Sequence, residues 1–170
     1  PGKKLEDAQK AVRNNPNDAD AHYDLGYAYS DAGQYKEAIA SYKKTIRIKP
    51  DDAMAHYYMG ITYQKLYRHM DAISHFKELI RTNPNYSNIH YNLGFSYNEL
   101  GEYRNAIASY KEAIRIEPDD AYLHRLLGFA YNETGQYQEA ITSYKRALRI
   151  DPKHTTTRSN LNSLRQKIAQ

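Results

Sequence analysis

The sequence predicts an all-α solenoid built from 34-residue helix-turn-helix repeats, and three observations predict it. The prolines Pro16, Pro50, Pro84, Pro118 and Pro152 each stand 34 residues apart. A whole phrase returns: AIASYKKTIRIKPDDA at 38–53 reappears as AIASYKEAIRIEPDDA at 106–121, altered only at Lys44/Glu112, Thr45/Ala113 and Lys49/Glu117. Within each copy the apolar positions follow helical spacing, since His22, Leu25, Gly26 and Tyr29 fall at i, i+3, i+4 and i+7. A fixed internal period of this length means stacked structural units, none of which can bury its apolar face alone.

Residues 1–18 read as a half-unit, because Leu5, Ala8, Val12 and Pro16 align with Ile39, Tyr42, Ile46 and Pro50 of the next copy. A helix over residues about 3–14 is therefore a second helix without its first. Four full units follow at 19–52, 53–86, 87–120 and 121–154. In the first, helix A carries the His22–Tyr29 stripe, and helix B carries Ala38, Ile39, Tyr42, Thr45 and Ile46. Gly33 between them supplies a left-handed cap, Pro50 stops helix B, and Asp51 and Asp52 offer N-cap oxygens to the next helix. Gly26 and Ala38 are small where bulky aromatics face them, so the two backbones can approach closely. The second unit has Tyr67-Arg68-His69 in place of Gly-Gln-Tyr or Gly-Glu-Tyr, which predicts an irregular, weaker turn. Residues 155–170 form a capping helix with Leu161, Leu164 and Ile168 on one face, but Asn162 and Arg165 where the units carry Gly and Tyr.

These columns resemble the tetratricopeptide repeat, whose pattern reads aromatic, x2, Leu-Gly, x2, Tyr, then Ala, x3, aromatic, then Pro. His replaces the first aromatic in every copy. The resemblance implies a right-handed superhelix whose A helices line a concave surface that holds a peptide ligand.

Chemistry of the enzymatic kind finds no foothold. The chain has no Cys, so thiolate nucleophiles, disulfides and Cys-ligated metals are excluded. No phosphate-binding, zinc-protease or serine-hydrolase motif occurs, and the carboxylates are scattered rather than convergent. No cofactor and no metal is expected. The recurrent His22, His56, His90 and His124 lie on successive A helices, about 8–10 Å apart at ordinary packing distance, too far to share one ion. They are read as packed at the A/B junction and bonded to a neighbouring helix. Without an apolar run long enough to cross a membrane or a recognisable leader, the expected compartment is the cytoplasm.

Most of the 18 Tyr belong to the core columns, such as Tyr29/Tyr63/Tyr97/Tyr131 and Tyr42/Phe76/Tyr110/Tyr144. The other face of helix A is different. Tyr23, Tyr27, Tyr57, Tyr58, Ile61, Tyr91, Phe95, Tyr122 and Phe129 point away from helix B, and contiguous apolar patches of this sort mark binding sites. Tyr23, Tyr57 and Tyr91 could equally pack between adjacent A helices; Tyr27, Phe95 and Phe129 are expected to be exposed. Asn92, Asn98, Glu99, Arg125 and Asn132 are the polar candidates beside them. In relatives that grip acidic chaperone tails, the resemblance implies a clamp of Lys, Asn and Arg; here the matching places hold Tyr23, Tyr27, Tyr58, Asn88 and Asn92, so the clamp is absent. The expected partner is a protein or peptide with an apolar or aromatic segment, able to carry Lys or Arg.

Two other readings stay open. Lys43/Arg47, Lys77/Arg81, Lys111/Arg115 and Lys145/Arg149 set a basic column along helix B, suited to helix-dipole complementation or to a polyanion. With a net charge of only +4, nucleic acid is not the expected partner. The orphan first helix could instead pair two chains into a homodimer.

Overall fold

The computed structural model describes residues 2–170, and among them the ten helices are accompanied by no strand. They are α1 (Gly2–Asn14), α2 (Ala19–Asp31), α3 (Tyr35–Ile48), α4 (Ala53–Lys65), α5 (His69–Thr82), α6 (Ser87–Glu99), α7 (Tyr103–Ile116), α8 (Ala121–Glu133), α9 (Tyr137–Ile150) and α10 (Thr155–Ala169). The chain divides into two compact units, the first ending at Thr82 and the second spanning Asn83–Gln170.

In the first unit each helix packs on the next, from α1 through α5. Asp18 caps α2 by accepting from the Asp20 amide at 3.0 Å, and Asp52 caps α4 by accepting from the Ala55 amide at 2.9 Å. The α2/α3 and α4/α5 pairs close on an aromatic ring laid against a glycine. A Cβ at Gly26 would sit 2.6 Å from the Tyr42 ring, and one at Gly60 would sit 2.7 Å from Phe76. Both rings are fully buried. The helix α1 packs on α2 and buries no residue completely.

The turn expected to be irregular is regular. Tyr67 adopts φ 57°, matching Gly33 at 76°, and the Arg68 amide donates to the Tyr63 carbonyl at 2.8 Å as Gln34 does to Tyr29. The hydrogen bonds and packing of the hairpin impose the left-handed conformation that a side chain resists, so the departure from glycine appears as local strain rather than altered geometry.

The second unit repeats the construction from α6 through α10. Gly94 and Gly128 meet Tyr110 and Tyr144 at 2.6 and 2.7 Å from a would-be Cβ. Gly101 and Gly135 adopt φ 75° and 76° at the turns. Asp120 caps α8, accepting from the Tyr122 amide, while Tyr86 at the same place before α6 makes no side-chain cap bond.

The histidine column has a purpose that differs from the expected bond to a neighbouring helix. The Nε2 of His22, His56, His90 and His124 lies 2.7–2.8 Å from the carbonyl of Pro16, Pro50, Pro84 and Pro118. Each imidazole thus donates to the proline six residues earlier and clasps the incoming turn to its own helix. In α10 the column continues with Arg158, whose Nη2 donates to the Pro152 carbonyl at 2.6 Å.

One repeat adds a second imidazole. His75 stands where the sisters carry Ser41, Ser109 and Ser143, and its Nδ1 lies 3.1 Å from the Nδ1 of His56. Because the Nε2 of His56 donates to Pro50, its Nδ1 offers a lone pair, and His75 donates to it. The His75 ring also stacks on Tyr63 at 5.6 Å. Burial first, and then the facing His56, push the His75 pKa down to about 4.

Candidate functional site

The A-helix face of the first unit is formed by α2 and α4. Tyr58 stands at its centre: its ring is 6.1 Å from Tyr23, 5.5 Å from Tyr27 and 5.2 Å from Tyr57, each edge to face. This geometry sets the positive ring edge against the negative ring face of a neighbour. Tyr23 also reaches inward to Tyr42 at 5.9 Å, and Tyr57 to Phe76 at 6.4 Å. Burial and the surrounding hydroxyls push the Tyr23 pKa up to about 12. Tyr23, Tyr57, Tyr58 and Ile61 are half-buried. Tyr27 keeps 39% exposure, but the Lys4 ammonium from α1 lies 4.5 Å over its ring while also approaching Asp31 at 3.9 Å. The aromatics of this unit therefore spend much of their surface on one another.

The A-helix face of the second unit is formed by α6, α8 and α10. Tyr91 meets Tyr122 edge to face at 5.7 Å, and Tyr91 lies 6.5 Å from Phe95. Phe95 is half-buried, less open than its place in the repeat suggested. Tyr122 and Phe129 remain 43% and 41% exposed. Leu126 occupies the α8 position that Tyr58 occupies in α4, so no third ring rises between them. Arg125 lies over the Tyr122 ring at 5.4 Å, with Asp151 3.8 Å from its guanidinium.

The polar candidates divide. Asn92 is buried, and its Nδ2 donates to the Asn88 carbonyl one turn back at 2.8 Å; the helix itself uses that donor. Glu99 is exposed at the end of α6. Asn98 and Asn132 occupy the same position in successive repeats, and in both the Oδ1 is buried without a hydrogen-bond partner among the described residues. Such an acceptor, removed from water and unanswered, is costly until a donor reaches it.

Beside Asn132 opens a cavity of about 260 Å³ lined by Phe129, Asn132, Tyr144, Asn160, Ser163 and Lys167, among others. A second groove, of about 420 Å³, runs by Tyr91 and Tyr122 and is edged by Glu117 and Asp120. The contribution of α10 went unread in the sequence, where that helix figured only as a solvating cap. The signal was present, because Ser163 lies one period beyond Phe129 and thus on the same face. No group of three or more His, Asp or Glu able to hold a metal occurs among the described residues, and no described helix is long and apolar enough to cross a membrane.

Comparison with known proteins places this geometry. A model described as TPR repeat matches residues 28–66 and 96–135, and three described as tetratricopeptide repeat match 8–40 and 75–108, 121–154, and 54–86. No curated protein sequence matches the chain. Among solved structures, the crystal structure of MamA protein superposes with a TM-score of 0.82 at 29% identity, covering 89% of this chain and 83% of that one. MamA from Desulfovibrio magneticus RS-1 superposes at 0.83 with 21% identity over 88% of this chain and 85% of its own. YrrB, described as a TPR protein with an unusual peptide-binding site, superposes at 0.84 with 21% identity over 97% and 85%.

Proposed function

Because the chain belongs to the tetratricopeptide-repeat family and is an all-α solenoid of helical repeats, we propose that it binds a peptide or partner helix, without catalysis, on the α6/α8/α10 face of its second unit. Proteins of this family bind protein or peptide partners. The repeat units are taken as 19–52, 53–86, 87–120 and 121–154, with the half-unit 1–18 before them and the cap 155–170 after. The single observation that carries the reading is the pairing, on one helix face, of exposed rings with unanswered amide oxygens: Tyr122 and Phe129 beside Asn98 and Asn132. Rigid aromatics anchor apolar side chains at little entropic cost. Turned outward about their side-chain torsions, the Asn98 and Asn132 amides meet main-chain N–H groups, which suits an extended segment of any sequence. Glu117 and Asp120 along the groove, with Glu99 on α6, favour a segment that also carries Lys or Arg.

The test uses a displayed peptide library selected on the intact chain. Enriched peptides carry aromatic or aliphatic residues with neighbouring Lys or Arg, and the Tyr122→Ala/Phe129→Ala double variant loses them at least tenfold while its helical circular dichroism is retained. Since the chain contains no Trp, a Trp placed in a selected peptide reports its own burial by fluorescence. Undiminished binding to the double variant defeats the assignment.

A second reading has one observation in its favour. Leu5, Ala8 and Val12 of α1 are only half-buried, which suits pairing of two chains through that helix. Light scattering at high concentration decides it, and a strict monomer excludes it.

A further inference from the structure

On a surface separate from the Tyr122/Phe129 face, α8 and α9 enclose an open groove of about 710 Å³. Leu127 and Tyr131 form its apolar floor, and Lys145, Arg146 and Arg149 stand along it with Glu139 among the lining residues. A further cation comes from α7, where the Lys111 ammonium lies 5.7 Å from the centre of the Tyr131 ring. The long aliphatic stems of these residues extend the apolar floor while their charged heads stay in water.

The charge of this groove differs from that of its α5 and α7 counterparts for a reason legible in the repeat. Glu78 in α5 and Glu112 in α7 each bind the arginine three residues later: Arg81 at 2.7 Å and Arg115 at 3.0 Å. The same position in α9 is Arg146. Arg149 thus faces another cation where Arg81 and Arg115 have a carboxylate, as Arg47 faces Lys44 in α3. Arg146 itself reaches Asp119 at 3.3 Å, a carboxylate that is 82% exposed and therefore weakly held. The basic column is neutralised along α5 and α7 and left open at α3 and α9.

We propose that this groove docks an acidic peptide segment, with one apolar side chain laid along the aliphatic stems of Lys145 and Arg149 above Leu127 and Tyr131, and flanking carboxylates on Lys145, Arg146 and Arg149. Protein fits better than nucleic acid. Tyr131 is only 7% exposed, so it presents no ring face on which a base could stack, and the ion pairs of Arg81 with Glu78 and Arg115 with Glu112 interrupt the basic column that a polyanion would follow.

The probe is a fluorescein-labelled peptide EEDLFEE, followed by anisotropy with the intact chain at 50 and 300 mM NaCl. The Arg146→Glu/Arg149→Glu variant binds about tenfold more weakly, and the higher salt weakens the native complex several-fold. The same change of net charge placed on α1, as Lys10→Glu/Arg13→Glu, leaves binding within twofold. Should the first variant fail to fold by circular dichroism, Lys145→Gln/Arg149→Gln serves in its place, with a several-fold loss expected. Four results overturn the proposal: no measurable binding of EEDLFEE to the native chain, equal binding by KKNLFKK, equal losses in the α9 and α1 variants, or tighter binding of a uridine heptanucleotide that disappears in the α9 variant.

Discussion

The two units pack the same helix face differently. In the first, Tyr58 draws Tyr23, Tyr27 and Tyr57 into one edge-to-face cluster, and Lys4 lies over Tyr27, which stays 39% exposed. In the second, Leu126 replaces Tyr58, Tyr122 and Phe129 stay open, and two asparagine oxygens are buried without a donor. The repeat fixes where side chains point; which side chains occupy those places decides whether a face is sealed or left available. Tyr58 gives way to Leu126 and Tyr57 to Arg125, and the edge-to-face cluster is lost with them, because one aromatic ring can satisfy several neighbouring rings at once.

The largest effect that sharpens this contrast is a difference in stability between matching deletions. Tyr58→Ala should cost about 2 kcal/mol, since it removes a ring with three aromatic neighbours, whereas Phe129→Ala should cost about 1 kcal/mol because its ring is 41% exposed and meets one aromatic neighbour, Tyr103 at 6.3 Å. Urea unfolding of the two variants makes the comparison. Equal costs would mean that the second face is as well packed as the first.

Acid provides a second separation, because only the first unit holds the facing imidazoles. The His75 pKa sits near 4 in the folded chain against its usual 6.5, so the unfolded chain takes up this proton first. The contribution is complete above pH 6.5 and is lost as pH falls toward 4. The surroundings agree on the direction: His56 and Tyr63 on α4 and Lys43 on α3 face the ring, with only Asp71 opposing. His75→Ser, the residue of the other copies, should flatten the fall in melting temperature over that range. An unaltered pH profile in that variant would remove the His56–His75 pair from the account.

The smallest effects are stabilising, one in each unit. Tyr67→Gly relieves the left-handed strain and should add about 1 kcal/mol. Tyr86→Asp restores to α6 the cap that α2, α4 and α8 possess, adding about 0.5–1 kcal/mol. Urea midpoints test both, and a loss of stability in either would show that the native side chain has another role.

The fold was legible because its determinants recur. Pro, Gly and the aromatic columns each appear at one spacing, and a pattern seen four times outweighs local departures such as Tyr67. The histidines were legible as structural but not in their bond: the proline carbonyl six residues back was visible in every copy, yet its direction required the turn to be built. The binding face was harder to read. The contacts of Tyr27 with Lys4 and Tyr58 join residues on neighbouring helices, which no periodicity expresses. Asn92 and Asn98 look alike in sequence, and only packing shows one amide bonded to its own helix and the other with its oxygen unanswered. Likewise Ser163 and Lys167 join the cavity through the packing of α10 on α9.

Hydroxyl-radical footprinting read by mass spectrometry tests the contrast most directly, with the fully buried Tyr42 as the internal zero. The account predicts that Tyr122 is oxidised several-fold faster than Tyr58 in the free chain, and that a selected peptide protects Tyr122 and Phe129 while leaving Tyr58 unchanged. Equal oxidation of Tyr58 and Tyr122, or protection confined to Tyr23, Tyr27 and Tyr58, would contradict it.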